Sequence, residues 1–434
     1  MPRVSVVLPT YNHEKYVGEC IQSVLDQTYQ NFEIIITDDG STDGTVNVIK
    51  EFDDSRIQFY THAENKGACA AINNCIQKAA GEYIAVLNSD DAWEPTKLEK
   101  QVQYLDSHPE IGAVFTKVAF VDEAGNLIGP ENYKGFYKFE KENRSRYEWL
   151  RFFFSPGNCL CHPSVLIRKK CYDEVGLYDE RVANLPDLDM WVRLCLKYDI
   201  HILNEKLVRF RIMTDKSSAS ADKPSTHIRS GFDYIQILNH YLAINDREIF
   251  LKIFPEAAKY GIVEEEYIPY FLSRLAVDIN TRTWHLWGLQ TLFNFLGQDG
   301  MAISLEKKYG FRYRDFYDLT AQHDIFNIVV MQEKVAQIAK LKTSVQDKES
   351  KIHRLESQIH RLESQIRRLD SRIQQLQRSI PMQLVNRYQR VIEKLLRTGT
   401  RRRHYYELGL SGIRVILNEG WRSFFKKAWN KLAH

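Results

Sequence analysis

The stretch VLNSDDAW, residues 86–93, indicates the fold class of this chain. Its first residues form an apolar run typical of a buried strand, and the run stops at two adjacent carboxylates, Asp90 and Asp91. Open α/β sheets bind their ligands at the carboxyl ends of parallel strands. Oxygen ligands suit a hard divalent cation such as Mg²⁺ or Mn²⁺, which in turn binds phosphate oxygens. The alternative is a solvated turn that caps the next helix.

Strand and helix patterns alternate on both sides of this stretch, through the first 215 residues. The strand patterns are Val4–Leu8, Glu33–Thr37, Ile57–Tyr60, Tyr83–Leu87 and Ala113–Val118. The helix patterns are about Lys15–Gln27, Thr42–Glu51, Ala68–Ala79 and Lys97–His108. This alternation predicts an α/β fold with a doubly wound, mostly parallel, Rossmann-like sheet.

The pattern changes twice beyond the sheet. A polar stretch at residues 217–220 and Pro224 mark a boundary, after which the apolar spacing is helical. We therefore expect a sheet domain (1–220), a helical accessory region (225–330), a coiled coil (331–380) and a basic amphipathic tail (381–434).

The coiled-coil pattern is an alternation of Ile and Leu in heptads, and the sequence IHRLESQ occurs at 352 and again at 359. Ile at position a and Leu at position d favour a parallel two-stranded coiled coil, with Lys351 facing Glu356 of the other strand. We expect a homodimer through Ile338–Ile380, a helix of roughly 60 Å. The alternative is one surface helix packed on the body.

Charge is distributed unevenly along the chain. From Met331 onward there are 23 Lys and Arg against 9 Asp and Glu, whereas the first 330 residues hold 36 against 47. In the tail, Trp421, Phe424, Phe425 and Trp429 would share one face of a basic helix, which suits an anionic membrane surface. The same face could instead pack on the protein. We expect no nucleic-acid partner, because the body is acidic and has no recognition motif.

The seven cysteines are scattered and odd in number, which argues against a disulfide framework and favours a reducing cytosol. The spacing of Cys159, Cys161 and His162 differs from that of zinc modules. A strand pattern begins at Val4 with no signal-peptide pattern before it, and no apolar run reaches the roughly 20 residues that span a bilayer. We expect a cytoplasmic protein, with the tail as a means of peripheral attachment to the cytoplasmic face of the membrane.

Four polar clusters close successive strands: PTYN (9–12), DDGSTDGT (38–45), NKG (65–67) and NSDD (88–91). A parallel sheet would gather them along one edge. There an aromatic ring and a carboxylate can bind a pyrimidine base, while Asp90 and Asp91 hold a metal on a diphosphate. Each cluster taken alone is equally compatible with turn chemistry.

With these motifs in this order, residues 3–215 resemble the family 2 glycosyltransferases of GT-A fold. Further matching segments are HPSVL (162–166), GLYDE (176–180) and PDLDMW (186–191). The resemblance implies inverting transfer of a sugar from a nucleoside-diphosphate sugar to a hydroxyl of a glycan or lipid-linked acceptor, in surface polysaccharide or glycan biosynthesis. It also implies a divalent metal, Mn²⁺ or Mg²⁺.

The resemblance assigns roles to individual residues. Asp187 would be the general base, Tyr11 would stack on the nucleotide base, and Asp39 would accept a hydrogen bond from that base. Asp90 and Asp91 would bind the metal. Donor-binding residues would be Pro9, Thr10, Tyr11, Asn12, Asp39, Asn65, Gly67, Asn73, Asn88 and Asp90, and acceptor-side residues His162, Asp189 and Trp191. Asp187 could instead cap the helix that follows it.

Three positions depart from the usual family pattern: Asn88 stands where Asp is frequent, Pro186 where Glu is, and Met213 where many relatives carry His. A thioether is a poor ligand for Mg²⁺ or Mn²⁺. Two other functions remain open. A catalytically weak scaffold that binds nucleotide sugar or partner proteins through its coiled coil is compatible with Met213. A nucleotidyltransferase would normally have a Gly-rich loop where residues 9–12 read PTYN.

Overall fold

The structure, a computed structural model, describes residues 1–133, 135–155, 157–213, 223–379 and 382–395, with short pieces of the tail at 407, 409–412, 418–420, 422–423 and 425–427. It consists of two compact units, Met1–Asn327 and Ile328–His434. The predicted boundary at residues 217–220, and Trp421, Phe424 and Trp429 of the tail, lie outside the described residues.

The first unit is built on one eight-stranded sheet. Its strands are β1 (Val4–Thr10), β2 (Phe32–Asp38), β3 (Ile57–Thr61), β4 (Tyr83–Val86), β5 (Ala92–Trp93), β6 (Ile111–Val121), β7 (Leu166–Arg168) and β8 (Asp199–Arg211). The strand order is β3-β2-β1-β4-β7-β6-β8-β5. The pairs among β1 to β4 are parallel, as is β6 with β8, whereas β5 and β7 run antiparallel to their neighbours. The predicted α/β fold with a mostly parallel sheet is confirmed.

Helices cover both faces of this sheet, which explains why its central strands are apolar at nearly every position. Successive side chains of a strand point to opposite faces. Accordingly Val6 and Leu8 of β1 pack into one core with Ile34, whereas Val7 packs with Ile35 into the other. The helices of the first half are α1 (Val17–Leu25), α2 (Thr45–Lys50), α3 (Ala68–Lys78), α4 (Lys97–Ser107), α5 (Arg146–Phe154), α6 (Lys169–Val175) and α7 (Pro186–Cys195).

The later helices of the first unit share a core with the sheet. They are α8 (Pro224–Asn239), α9 (Arg247–Ile253), α10 (Ile268–Val277), α11 (Arg282–Leu296), α12 (Met301–Tyr309) and α13 (Tyr313–Gln322). The indole nitrogen of Trp284 on α11 donates to the carbonyl of Phe154 at 2.6 Å, and the Tyr241 hydroxyl donates to the carbonyl of Leu150 at 2.7 Å. The bond from Trp284 satisfies the carbonyl of the last residue of α5, which has no partner within that helix, and the bond from Tyr241 is an additional contact to the same helix.

The second unit begins with a helix of 52 residues, α14 (Ile328–Ser379), followed by α15 (Met382–Leu395). Its heptad side chains from Ile352 to Leu369 face solvent, with exposed fractions between 47% and 59%. Among the residues that the structure describes, no helix combines the length and apolarity needed to cross a bilayer.

Candidate active site

The polar clusters predicted to meet do meet, at the edge of the sheet formed by the C-terminal ends of β1, β2 and β4; we call this the carboxyl edge. The backbone N–H of Asp39 donates to the carbonyl of Thr10 at 2.9 Å, and Thr10 lies opposite Asp38 in the register of β1 and β2. Across the edge, Nδ1 of His13 lies 2.7 Å from the Ser89 hydroxyl. The loops after these three strands therefore form one continuous surface.

The loop after β1 is held in a fixed shape. Asn12 has a left-handed backbone, with φ of 53°, and its side-chain oxygen accepts from the N–H of Thr42 at 2.8 Å. Thr10 is buried, and its hydroxyl has no hydrogen-bond partner among the described residues. Tyr11 lies between them in the sequence and is 41% exposed, which leaves its ring accessible for stacking.

Asp39 is buried and organises the loop after β3. One carboxylate oxygen accepts from the N–H of Lys66 at 2.9 Å and lies 2.7 Å from Nδ1 of His62, while the other accepts from the N–H of Gly67 at 2.8 Å. A carboxylate has about four acceptor sites, so one remains for a further donor. Next to it, Gly40 has φ of 74°, and a Cβ there would lie 2.8 Å from the carbonyl carbon of Glu64.

The other residues predicted in the third cluster differ in their surroundings. Asn65 is exposed, and its side-chain oxygen accepts from Gly67 at 3.1 Å. Asn73 is buried on α3 and bonds to the backbone of Tyr178 in both directions, at 2.9 and 3.0 Å. The amide of Asn73 also donates to Glu180 at 3.3 Å, so its capacity is used within the protein.

The two carboxylates after β4 are in unlike environments. Asp91 is 2% exposed; it accepts from the backbone N–H of Arg211 at 2.8 Å and from the side chain of Asn88 at 3.3 Å. Burial, and then the charge of Asp90, raise the pKa of Asp91 well above its ordinary value. Asp90 is half-buried, and its carboxylate makes no hydrogen bond to another described residue.

These residues fit a divalent cation that is shared with a phosphate ligand. No three His, Cys, Asp or Glu side chains group into a metal site among the described residues, so the protein alone does not enclose an ion there. Magnesium usually keeps several waters and binds through one or two carboxylates plus phosphate oxygens. The free carboxylate of Asp90 suits that role, and a cation would relieve the repulsion between Asp90 and Asp91. Met213 is half-buried just after β8.

Asp187 lies in the first turn of α7, beside the loop that contains Asn158. The Asn158 amide donates to one carboxylate oxygen of Asp187, and the other oxygen accepts from the N–H of Leu188 at 2.8 Å. Asp187 is half-buried. Its carboxylate thus has a fixed direction and an accessible side.

Asp189, two residues later, is bound on both sides. Its carboxylate pairs with Arg193 at 2.6 Å and with His240 at 2.7 Å, and only 3% of the side chain is exposed. Burial alone would raise the pKa of Asp189, but the hydrogen bond from His240 and the charge of Arg193 outweigh it and hold that pKa below its ordinary value. Asp189 therefore joins α7 to the helical region.

The remaining acceptor-side candidates pack beneath Asp187. Nε2 of His162 lies 2.9 Å from the Tyr178 hydroxyl, and burial lowers the pKa of His162 although the charge of Asp187 opposes this. Trp191 is fully buried, with its ring 4.8 Å from that of Phe115 and 6.0 Å from His162. Its indole nitrogen has no hydrogen-bond partner among the described residues. These two side chains are thus engaged in contacts within the protein.

Sequence reasoning missed several residues that contact the predicted site directly, among them Asn158 and Arg211. Asn158 lies in a loop, where no periodic pattern marks it. Arg211 is the last residue of β8, a strand that was not predicted. The signal that could have found it is a charged residue within an apolar run.

Comparison with known proteins identifies the family. A family model described as glycosyl transferase family 2 matches residues 5–169. An uncharacterized glycosyltransferase of Methanocaldococcus jannaschii is 30% identical over 292 residues, which are 65% of this chain and 94% of that protein. TuaG of Bacillus subtilis, a glycosyltransferase named for teichuronic acid biosynthesis, is 43% identical over 106 residues, 24% of this chain and 42% of that protein.

Among solved structures, TarS 1–349 of S. aureus in complex with UDP-GlcNAc is similar with a TM-score of 0.47 at 16% identity, over 74% of this chain and 89% of that one. The mixed sheet followed by helices agrees with the GT-A fold predicted from the sequence. One relative is matched over 94% of its length, and the family model matches residues 5–169, which include the strands of the carboxyl edge. The chain therefore belongs to glycosyltransferase family 2 and is a glycosyltransferase.

Proposed function

We propose that the protein transfers a sugar, with inversion, from a nucleoside-diphosphate sugar to an acceptor hydroxyl, in the synthesis of a surface polysaccharide or glycan. The observation that carries this proposal is the state of Asp187: it is oriented by Asn158 but remains half-buried and free of ion pairs with described residues. The name of TuaG, which refers to teichuronic acid biosynthesis, supports the polysaccharide setting.

The donor would lie along the carboxyl edge. The exposed ring of Tyr11 is available to stack on the nucleotide base, and the unused acceptor site of Asp39 can receive an N–H of that base. The diphosphate would lie toward Asp90. A divalent cation held there by Asp90 would neutralise the charge that the departing diphosphate acquires, which is worth several kcal/mol.

The chemical step needs one base. As the acceptor oxygen attacks the anomeric carbon, Asp187 takes the hydroxyl proton, a new C–O bond forms, and the bond from that carbon to the diphosphate breaks with its electron pair on the phosphate oxygen. A single displacement inverts the anomeric centre. General base catalysis of this kind contributes typically 10²–10⁴-fold. Asp189 is unsuited to this role because Arg193 and His240 hold its carboxylate.

We further propose that two copies of the chain form a parallel coiled coil through residues 338–380. The apolar heptad side chains between Ile352 and Leu369 are about half exposed, as they would be before pairing. The e positions of this stretch carry acids, at Glu349, Glu356, Glu363 and Asp370. The g positions carry none; they hold Lys351, Gln358, Gln365 and Arg372. A parallel pair sets e against g, whereas an antiparallel pair would set acid against acid.

The basic tail would hold this dimer at an anionic membrane surface, close to a lipid-linked acceptor. The proposal rests on the excess of basic residues from Met331 onward, where 23 Lys and Arg stand against 9 Asp and Glu. Each basic residue near such a surface contributes about 1 kcal/mol of attraction, which salt weakens.

The test is a panel of UDP-, dTDP- and GDP-sugars, each with Mn²⁺, Mg²⁺ or EDTA, in which release of the nucleoside diphosphate is measured for wild type and Asp187→Asn. Hydrolysis of one donor that needs metal and is lost in the variant would support the proposal. Thermal shift with each donor is the companion measurement. Absence of both turnover and binding for every donor would overturn it, and binding without turnover in the presence of candidate acceptors would favour the scaffold function.

A further inference from the structure

Arg211, the last residue of β8, is a buried charge that contacts both Asp90 and Asp91. Only 2% of its side chain is exposed. Removing a charged group from water costs several kcal/mol unless its hydrogen bonds are replaced. A guanidinium offers five N–H donors in a rigid planar arrangement, so its partners show which segments it holds together.

The partners of this guanidinium come from three separate segments. Nε donates to the carbonyl of Asp90 at 2.8 Å. Nη1 donates to the carbonyls of Asp122 and Glu123, at 2.9 and 3.1 Å, in the turn that follows β6. Nη2 donates to the carboxylate of Glu19 on α1 at 2.5 Å.

The backbone of the same residue completes the arrangement. The N–H of Arg211 donates to the carboxylate of Asp91 at 2.8 Å. One residue therefore fixes the peptide of Asp90 through its side chain and the carboxylate of Asp91 through its main chain. The carboxylate of Asp90 makes no hydrogen bond to any described residue, whereas the peptide that follows it is held by Arg211.

The contact with Glu19 extends this to the other half of the donor site. Helix α1 follows the loop that contains Tyr11, and the ring of Tyr16, one residue before that helix, lies 5.0 Å from the guanidinium. Arg211 thus links the element behind the proposed base-binding loop to the proposed metal-binding carboxylates.

We infer that Arg211 is a positioning residue, which sets the direction of the Asp90 carboxylate and so determines how strongly a divalent cation and a diphosphate bind together. The inference rests on the proposed function, because it assigns Arg211 to the diphosphate end of that donor site. Partners of metal ligands typically change metal affinity by 10–100-fold when they are lost.

Arg209 offers a matched control on the same strand. It also pairs with Glu19, at 3.1 Å, and with Glu94 at 3.5 Å, but it is 34% exposed and makes no bond to Asp90 or Asp91 among the described contacts. Lysine at position 211 keeps the charge but loses the planar fork, so it cannot reach all three segments together.

The experiment measures UDP binding to the full chain by calorimetry in EDTA and in Mn²⁺, with GDP and dTDP in parallel, for wild type, Arg211→Lys and Arg209→Lys. The quantity compared is the factor by which Mn²⁺ tightens nucleotide binding. We expect this factor to fall about tenfold or more in Arg211→Lys, while binding in EDTA and the factor in Arg209→Lys stay within twofold of wild type. An unchanged factor in Arg211→Lys, or an equal fall in Arg209→Lys, would overturn the inference.

Two further results keep the outcomes separate. If wild type binds none of the three nucleotides, the proposed function itself has failed, whereas wild-type binding with unaltered variants defeats only the role of Arg211. If Arg211→Lys does not fold, Glu19→Gln and Arg209→Gln replace it. The inference is supported if the factor by which Mn²⁺ tightens nucleotide binding falls in Glu19→Gln but not in Arg209→Gln. Equal factors in these two variants contradict it.

Discussion

Asp187 and Asp189 lie two positions apart on α7, yet only Asp189 is held by ion pairs. Arg193 and His240 bind the carboxylate of Asp189 from both sides, whereas Asp187 receives one side-chain hydrogen bond, from Asn158. Of these two carboxylates in one turn of helix, Asp189 is therefore engaged in ion pairs within the fold, and Asp187 is the one that we propose as the base. Substitutions can separate these two roles.

Asp187→Asn should lower kcat by about 10²–10⁴-fold, because an amide cannot take the acceptor proton. Donor binding should stay within about twofold, since Asp187 does not contact the proposed nucleotide site. Turnover is measured as release of nucleoside diphosphate with saturating acceptor, and donor binding by calorimetry. A variant that retained near-normal turnover would exclude Asp187 as the base.

Asp189→Asn should instead destabilise the fold by about 3 kcal/mol, because it leaves the buried charge of Arg193 without its partner. The pKa of Asp189 lies below its ordinary value of 3.8, so the stabilisation is fully present above pH 3.8 and is lost as the pH falls through the lower pKa of the folded state. The difference in unfolding free energy between wild type and variant should therefore be largest near neutral pH and should decrease in acid. Denaturant unfolding at several pH values measures it, and a gap that does not narrow in acid would contradict the assignment.

Asn158→Ala should reduce kcat by roughly tenfold or more, because a hydrogen bond to a charged group is worth about 1.5–3 kcal/mol and orients the carboxylate of Asp187. Asn143→Ala is the matched control: Asn143 bonds to the backbone of Ile202 at 2.9 Å and touches no predicted site residue. The control should lower the melting temperature and leave kcat per folded molecule unchanged. Similar kcat losses in both variants would show that the effect of Asn158 is structural.

Tyr11→Ala should weaken donor binding roughly 5- to 150-fold, the range expected when stacking of about 1–3 kcal/mol on a base is lost. Tyr11→Phe keeps the ring and should bind within about twofold of wild type. The measurement is the Kd of each variant for the preferred nucleotide. Equal weakening in the two variants would point to the hydroxyl rather than the ring.

Ile359→Asp in the heptad seam should convert the dimer to a monomer, because it places a charge at an a position of the pairing face. Ser364→Asp, at the outward f position of the same helix, should leave the dimer intact. Sedimentation equilibrium of the full chain at several concentrations distinguishes them. A wild-type protein that is monomeric at micromolar concentration would refute the coiled-coil proposal.

The parallel part of the sheet was predictable because local pattern and burial agree there. Val6, Val7 and Leu8 are apolar and fully buried between two helical layers. Strand β8 was missed for the opposite reason. Its middle carries the exposed residues 204–206, and its register with β6 shifts beside Lys117, so no regular alternation exists to be recognised.

The site was predictable as a set of motifs at strand ends, but not in its internal bonds. Asn73 was assigned to the donor, and its amide is used by Tyr178, 105 positions away. Asp189 was assigned to the acceptor, and its partner His240 lies 51 positions along the chain. A linear pattern shows that a polar side chain is present, but the tertiary structure decides which distant group takes its hydrogen bonds.

The bonds from Trp284 and Tyr241 to α5 have a consequence for the exchange of segments between transferases. A chain cut after the sheet would leave the carbonyls of Leu150 and Phe154 without those partners and expose the aromatic rings beside them. The helices after β8 therefore cannot be replaced as an independent unit by those of another transferase. An exchange would require matching changes on the surface of α5, so the sheet and these helices constrain each other's sequences.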